Sequence, residues 1–147
     1  MSARLPFSVV TKPTGAACNL DCQYCFFLSK ELLYDAAAQT MSEQTLERYV
    51  EAFLESSPDG EVTMLWQGGE PTLRGLYFFE RLMDLCERYR RPTQRVRHAL
   101  QTNGTLVTDE WARFFADHGF LVGVSIDGPA PLHDAYRLNR GGRGTHA

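Results

Sequence analysis

The stretch EVTMLWQGGEPTLRGLYFFERLMDLCERY, residues 61–89, contains a strand, a glycine turn and a helix in that order. Residues 61–67 are rich in apolar and β-branched side chains, as strands are, and Gly68-Gly69 follow directly. The residues after the turn place apolar side chains on one face at helical spacing: Leu76, Phe79, Leu82, Met83, Cys86 and Tyr89. The stretch therefore predicts one βα unit.

The same order of elements repeats on both sides of this unit. Residues 7–13 predict a short strand stopped by a proline, residues 96–104 a third strand with a tight turn, and residues 120–128 a fourth strand. Strands that alternate with helices predict a parallel sheet with right-handed crossovers. The predicted fold class is therefore α/β, with about four parallel βα units in the chain.

Capping signals mark the two helices that flank this unit. The segment Thr40-Met41-Ser42-Glu43 fits a capping box ahead of an apolar helical face, with Ser42 as an alternative cap. Thr108 is predicted to cap the helix that follows the third strand, and Gly119 suits the end of that helix.

A polar or glycine-rich motif follows every predicted strand. The cysteine-rich loop follows the first strand, GGEP the second, QTNG the third and SIDG the fourth. The carboxyl ends of parallel strands meet at one edge of a sheet, and chemistry gathers there. We therefore predict that the four motifs form one site.

The cysteine loop, GAACNLDCQYCFF at residues 15–27, places Cys18, Cys22 and Cys25 in a C-x3-C-x2-C pattern. Cysteines crowded on one loop in a reducing compartment indicate metal or redox chemistry. In a [4Fe–4S] cluster, three cysteines leave one iron without a protein ligand, and that iron can bind a small molecule. The alternative is a zinc site whose fourth ligand is a distant histidine, with three candidates: His98, His118 and His133.

The fourth cysteine, Cys86, lies on the apolar face of the predicted second helix, which favours a buried small side chain rather than a ligand. Trp66 and Trp111 are likewise predicted to belong to the core.

Composition and charge exclude several classes of protein. The 147 residues are 44% hydrophobic and 22% charged, with a net charge of -3, which is ordinary for one globular domain and gives no basic face for nucleic acid. The first ten residues lack the apolar core of a signal peptide, and no apolar run approaches the ~20 residues that span a bilayer. The sequence predicts a cytoplasmic protein without a nucleic-acid or membrane partner.

The remaining motif residues suit a polar ligand. Gly68 and Gly69 have no Cβ, so a ligand can lie against their backbone. Glu70 adds a carboxylate, and hydrogen-bonding side chains come from the third and fourth strand ends: Gln101, Thr102, Asn103, Ser125 and Asp127. We predict a pocket for a zwitterionic ligand beside a metal cluster.

These motifs, in this order, resemble the radical S-adenosylmethionine (SAM) enzymes. The segments KPTGAACNLDCQYCFFLSKE, MLWQGGEPTLRGLYFF, QTNGTLVTDEWARFF and VGVSIDGPAPLHDAYRLNRGGRGTH resemble the anaerobic sulfatase-maturating enzymes, whose branch carries extra C-terminal iron–sulfur clusters and modifies peptides. The resemblance runs from about residue 8 to the end of the chain. It implies part of a (β/α)6-type radical SAM barrel.

The resemblance also implies roles for single residues. Cys18, Cys22 and Cys25 would hold a [4Fe–4S] cluster. SAM would be bound by the residues that match the family's cofactor contacts, which are Tyr24, Gly68, Gly69, Glu70, Ser125 and Arg137. Further residues would face the substrate: Gln67, Gln101, Asn103 and Asp127.

The reaction that the resemblance implies is the oxidation of a cysteine or serine of a sulfatase to formylglycine. The reduced cluster would cleave SAM to a 5′-deoxyadenosyl radical, which would take a hydrogen atom from the β-carbon; loss of a further electron and hydrolysis would follow. The implied partners are the sulfatase polypeptide and an electron donor such as a flavodoxin or ferredoxin. Another peptide-modifying radical SAM enzyme is an alternative.

The family's core has about six βα units, so residues 1–147 are expected to form its N-terminal part, truncated before the remaining units and the auxiliary-cluster domain. The proton-accepting aspartate of the family is expected in that missing part, so no catalytic residue is predicted in this chain, and the chain alone is expected to be inactive. A non-catalytic fragment is the second alternative.

Overall fold

The computed structural model describes residues 5–27, 29 and 40–146. The other positions, including the first four residues and much of the segment between the cysteine loop and Thr40, lie outside this description. The strands are β1 (Val10–Thr11), β2 (Gly60–Trp66), β3 (Gln94–Thr102) and β4 (Leu121–Val124). The helices are α1 (Glu43–Ser56), α2 (Leu76–Tyr89), α3 (Asp109–Asp117) and α4 (Ala130–Tyr136), and a short 3-10 helix (Pro71–Arg74) precedes α2.

The described strands form one parallel sheet in the order β1-β2-β3-β4. Each strand is added on the same side of the one before it, whereas a doubly wound sheet reverses its strand order partway. Winding in one direction is the pattern of a (β/α) barrel. The predicted α/β class and partial barrel are confirmed.

The caps of two helices explain where those helices begin. The Ser42 hydroxyl accepts a hydrogen bond of 3.1 Å from the Thr45 amide, so the alternative cap is the one that the chain uses. The Thr108 hydroxyl accepts a bond of 3.4 Å from the Trp111 amide, as predicted. Gly119 follows α3 with a φ of 62°, the left-handed conformation that favours glycine at this position.

The core lies between one face of the sheet and helices α1, α2 and α3. Trp66 and Trp111 are both buried in it, as predicted. Cys86 is buried as well, with its thiol 3.8 Å from Met64 Sδ, and burial raises the pKa of this thiol to about 12. The core therefore uses Cys86 as a small apolar side chain.

The first and last elements differ from their predictions. The first strand has two residues, whereas the sequence predicted a strand over residues 7–13. The fourth strand ends at Val124 rather than near Gly128. Helix α4 was not predicted, because the prolines and glycine around residue 129 indicate a loop. Within the described residues, no helix is both long and apolar enough to cross a membrane.

His98 is a buried histidine on the helix-facing side of β3. Its Nδ1 accepts a hydrogen bond of 3.3 Å from the Trp66 indole, its ring stacks on Phe120 at 4.8 Å, and its Nε2 is buried without a hydrogen-bond partner. Burial lowers the pKa of His98 from 6.5 to about 4. The folded protein therefore keeps this ring neutral over a pH range in which the unfolded chain protonates it.

We expect the free energy of unfolding to fall as the pH drops from 6.5 to about 4, by up to about 3 kcal/mol. Urea unfolding at a series of pH values measures this slope. His98→Phe keeps a ring against Phe120 and is expected to flatten the slope, whereas His118→Gln, at an exposed position, is expected to retain it. Equal slopes in the wild type and His98→Phe would contradict the assignment.

Candidate functional site

The cysteine loop follows β1 and lies against the glycine turn that follows β2. The Glu70 amide donates a hydrogen bond of 2.8 Å to the Ala17 carbonyl, and the Cys25 amide donates one of 2.9 Å to the Cys22 carbonyl. Cys22 is buried, and Cys18 and Cys25 are half-buried. All of these thiols are free.

A cavity of about 290 Å³ lies between this loop and the carboxyl ends of the strands. The predicted site residues that line it are Cys18, Cys22, Cys25, Tyr24, Gln67, Gly68, Gly69, Gln101, Asn103, Ser125 and Arg137. Glu70 and Asp127 do not line it. Its wall also contains Leu20, Phe26, Phe27 and Thr102. Of these four, the sequence predicted only Thr102, as a hydrogen-bonding side chain.

Gly69 is required by the approach of the cysteine loop. Its φ is +27°, and a Cβ at this position would overlap the carbonyl oxygen of Ala17. Gly68 has a φ of +99°, and a Cβ there would lie 2.6 Å from Lys12 Cγ. The prediction explained these glycines by a turn or by the closeness of a ligand, and the structure shows that the backbone of Ala17 already occupies the space beside Gly69.

Glu70 is an internal carboxylate that joins three segments. Its Oε1 accepts hydrogen bonds from the Thr72 amide (3.0 Å), the Thr72 hydroxyl (2.7 Å) and the Thr102 hydroxyl (2.7 Å). Its Oε2 accepts one of 2.7 Å from the Asn103 amide. With only 1% of its surface exposed, Glu70 fixes the glycine turn and the end of β3 relative to each other.

A second polar network closes the opposite wall. The Tyr24 hydroxyl donates a hydrogen bond to Asp127 Oδ2, and Arg137 Nε lies 3.0 Å from Asp127 Oδ1 as an ion pair without the alignment of a hydrogen bond. Burial, and to a lesser extent the hydrogen bond to Asp127, raises the pKa of Tyr24 to about 12. The Tyr24 hydroxyl and Arg137 hold the pKa of Asp127 below its ordinary value. Asp127 thus orients Tyr24 and Arg137, which line the cavity.

The last residue of α4 and the segment after it hold the cysteine loop in place. The Asp21 amide donates a hydrogen bond of 2.8 Å to the Leu138 carbonyl, and the Gln23 amide donates one of 3.0 Å to the Tyr136 carbonyl. Arg140 donates two bonds, of 3.0 and 2.9 Å, to the Cys18 carbonyl. Sequence reasoning missed this contact because it pairs backbone groups that are more than a hundred residues apart; only the Arg- and Asn-rich run YRLNR gives a signal for it.

The predicted substrate-side residues point in different directions. Gln101 Nε2 donates a hydrogen bond of 2.8 Å to the Ser125 hydroxyl, and Gln67 is an exposed residue at the cavity wall. The side chain of Asn103 turns to the cysteine loop, with its Nδ2 at 3.7 Å from Cys18 Sγ. A larger cavity, of about 480 Å³, adjoins the first and shares Leu20, Asn103 and Ser125 with it, but none of the cysteines lines it.

The thiols fit a polynuclear cluster better than a single ion. Among the described residues, no three His, Cys, Asp or Glu side chains converge as they would around one metal ion. In an iron–sulfur cluster the cysteines bind different irons, so they need only line one common space, and these three cysteines line one cavity. The histidines considered for a zinc site, His98, His118 and His133, do not line the cavity.

Burial favours the protonated form of two of the thiols, Cys18 and Cys22. Burial raises the pKa of Cys18, although the amides of Leu20 and Asn103 act against it, and burial raises the pKa of Cys22 against the effect of Arg137. Metal binding at this loop must therefore release protons.

A parallel, singly wound sheet with three free cysteines and a glycine turn at its carboxyl edge defines the class of the protein. The model of the Radical SAM superfamily matches residues 13–147, and the chain belongs to this superfamily. A [4Fe–4S] cluster and SAM are the cofactors characteristic of the family.

Two groups of curated relatives are similar to the chain. The serine-type anaerobic sulfatase-maturating enzyme of Bacteroides thetaiotaomicron is 43% identical over 139 residues, which cover 94% of this chain and 33% of the relative. The cysteine-type enzyme of Clostridium perfringens (strain 13 / Type A) is 41% identical over 136 residues, which cover 92% of this chain and 36% of the relative. The chain thus spans about a third of the length of these relatives.

Solved structures of a related protein are also similar to the chain. The structure of native anSMEcpe with bound AdoMet superposes with a TM-score of 0.87 and 39% identity, covering 95% of this chain and 38% of that one. The structure of native anSMEcpe with bound AdoMet and Cp18Cys peptide has a TM-score of 0.85 and 40% identity, and the match covers 96% of this chain and 37% of that one.

Proposed function

We propose that the chain is the SAM-binding and [4Fe–4S]-binding part of a radical SAM enzyme that oxidises a cysteine or serine of a sulfatase to formylglycine. The proposal places residues 1–147 in the N-terminal part of the radical SAM core domain. The observation that carries it is the single cavity that Cys18, Cys22 and Cys25 share with the glycine turn and the ends of β3 and β4. Similarity to both serine-type and cysteine-type maturases supports the sulfatase as substrate.

The cavity offers matching surfaces to the two cofactors. Cys18, Cys22 and Cys25 would bind three irons of the cluster and leave the fourth iron to the amino and carboxylate groups of SAM. When bound, cluster and SAM supply one-electron reductive cleavage and a hydrogen-abstracting radical. The protein supplies the positions of these groups.

Each wall of the cavity has a proposed part in binding SAM. The backbone at Gly68 and Gly69 would receive the amino group of its methionine moiety, and Glu70 would keep that backbone in place. The backbone of Tyr24 would meet the adenine. Ser125 and Arg137 would make further contacts, with Arg137 oriented by its ion pair with Asp127. Gln67 and Gln101 would face the substrate.

The partners follow from the chemistry. A sulfatase polypeptide is the proposed substrate, and a flavodoxin or ferredoxin is the proposed electron donor, because the cluster must be reduced by one electron before each cleavage. Free thiols on a cluster-binding loop fit a reducing compartment, so we place the protein in the cytoplasm.

A chimera tests the proposal without relying on the isolated chain. Residues 13–147 replace the matching segment of the cysteine-type enzyme of Clostridium perfringens, and the purified, reconstituted chimera is incubated with SAM, a reductant and a sulfatase-derived peptide. We expect mass spectrometry to detect formylglycine in place of the target cysteine, because this segment supplies the cluster and SAM contacts that the rest of the enzyme requires.

The matched control is the same chimera with Cys18, Cys22 and Cys25 replaced by alanine, which is expected to form no product. A chimera that binds the cluster and cleaves SAM, yet modifies neither a cysteine-containing nor a serine-containing sulfatase peptide, would contradict the proposed substrate.

A further inference from the structure

The side-chain amide of Asn103 is held between the QTNG turn and the cysteine loop. Its Oδ1 accepts hydrogen bonds from the Thr105 amide (3.0 Å) and the Thr105 hydroxyl (2.8 Å). Its Nδ2 lies 2.9 Å from Asn19 Oδ1 and 3.7 Å from Cys18 Sγ. The two hydrogens of the NH₂ group thus have two acceptors, and one of them is the sulfur.

The orientation of this amide is fixed by its neighbours. A backbone N–H can only donate, so the atom of Asn103 that faces the Thr105 amide must be the oxygen. The NH₂ group is therefore the end that faces Cys18. The backbone is fixed as well, because the Asn103 amide donates 2.7 Å to the buried Glu70 carboxylate.

Among the residues that the structure describes, these donors set Cys18 apart from the other two cysteines. Its Sγ also accepts a hydrogen bond of 3.4 Å from the Leu20 amide, so two N–H groups point at one sulfur. Hydrogen bonds to cluster sulfurs are one of the means by which a protein sets the reduction potential of the cluster. A donor stabilises the reduced cluster more than the oxidised one, because reduction adds negative charge that spreads to the thiolates.

We propose that Asn103 is a positioning residue that raises the reduction potential of the cluster by donating a side-chain N–H···S hydrogen bond to Cys18, with Glu70 and Thr105 holding the amide in place. This inference rests on the proposed binding of a [4Fe–4S] cluster by the three cysteines. It assigns to the QTNG asparagine an effect on the cluster itself.

A redox titration of the reconstituted cluster, followed by its absorption in the absence of SAM and peptide, tests the proposal. Asn103→Ala is expected to lower the midpoint potential by about 59 mV, which is a tenfold change in the ratio of oxidised to reduced cluster for one electron. Asn103→Asp keeps the shape but replaces the donor by a carboxylate, and is expected to lower the potential further. Gln101→Ala removes an amide from the same cavity without a contact to sulfur and is expected to leave the potential unchanged.

The outcomes separate this inference from the proposed function. If the wild-type chain assembles no iron–sulfur cluster, both are contradicted. A full iron content with an unchanged or raised potential in Asn103→Ala and Asn103→Asp would overturn this inference alone. Loss of the cluster from both folded variants would also overturn it, because the role of Asn103 would then be structural.

Discussion

A variant in which alanine replaces Cys18, Cys22 and Cys25 is expected to bind no iron after anaerobic reconstitution, whereas the wild-type chain is expected to carry one [4Fe–4S] cluster. The three thiols line one cavity, and the cluster has no other cysteine in the described residues to bind it there. Iron content and the thiolate-to-iron charge-transfer absorption measure the difference. Each single substitution is expected to reduce the iron content strongly as well.

Cys86→Ala is the matched control, because this cysteine is buried against Met64 in the core. Its iron content per folded protein is expected to equal that of the wild type. If Cys86→Ala removed the cluster, or if the triple variant retained it, the ligand assignment would be wrong.

Replacement of Glu70 by alanine is expected to lower the free energy of unfolding by about 4 kcal/mol. The substitution leaves the Thr72 and Asn103 amides and two hydroxyls without their acceptor in a buried place, and each orphaned donor costs about 1–3 kcal/mol. Urea unfolding of the wild type and the variant measures the loss. The cysteine loop is hydrogen-bonded to the same turn, so a lower cluster occupancy is expected to accompany the loss of stability.

Glu61→Ala provides the comparison for this result. The Glu61 side chain is 62% exposed and lies 3.4 Å from Arg97, and an exposed ion pair of this kind contributes about 0.5 kcal/mol or less. A loss below about 1 kcal/mol in Glu70→Ala would contradict the role of Glu70 as the joint between the glycine turn and β3.

The sequence was sufficient to predict how the motifs come together. Hydrophobic periodicity and caps predict the βα units, and parallel strands place their carboxyl ends at one edge. The clustering of the cysteine loop with GGEP, QTNG and SIDG follows from that rule alone. The β2–α2 unit and the capping by Thr108 are local in sequence, which is why they could be predicted.

Contacts between distant segments could not be predicted in this way. Glu70 reads in sequence as an available carboxylate, yet its oxygens are taken up by Thr72, Thr102 and Asn103. The hydrogen bonds from Arg140 to the Cys18 carbonyl depend on how α4 packs against the cysteine loop. No periodicity or capping rule contains that information.

One local element was missed and another was predicted too long, both for physical reasons. Helix α4 begins with Ala130 after Pro129, and proline favours both the first turn of a helix and a loop, so the segment is ambiguous. The first strand shrinks to Val10–Thr11, because only these residues pair with β2. The loop that carries the cysteines therefore begins sooner than predicted.

The response of the reduced cluster to SAM shows whether the cysteine loop and the glycine turn form one SAM-binding [4Fe–4S] site. The anaerobically reconstituted chain is reduced, and its electron paramagnetic resonance spectrum is recorded with and without SAM. We predict a cluster signal that changes when SAM is added, because an iron without a cysteine ligand would be free to bind SAM, with Gly68 and Gly69 proposed to contact its methionine moiety. A well-formed reduced cluster with an unchanged spectrum would contradict the proposed SAM site, and a chain that binds zinc and no iron would contradict the proposed [4Fe–4S] cluster.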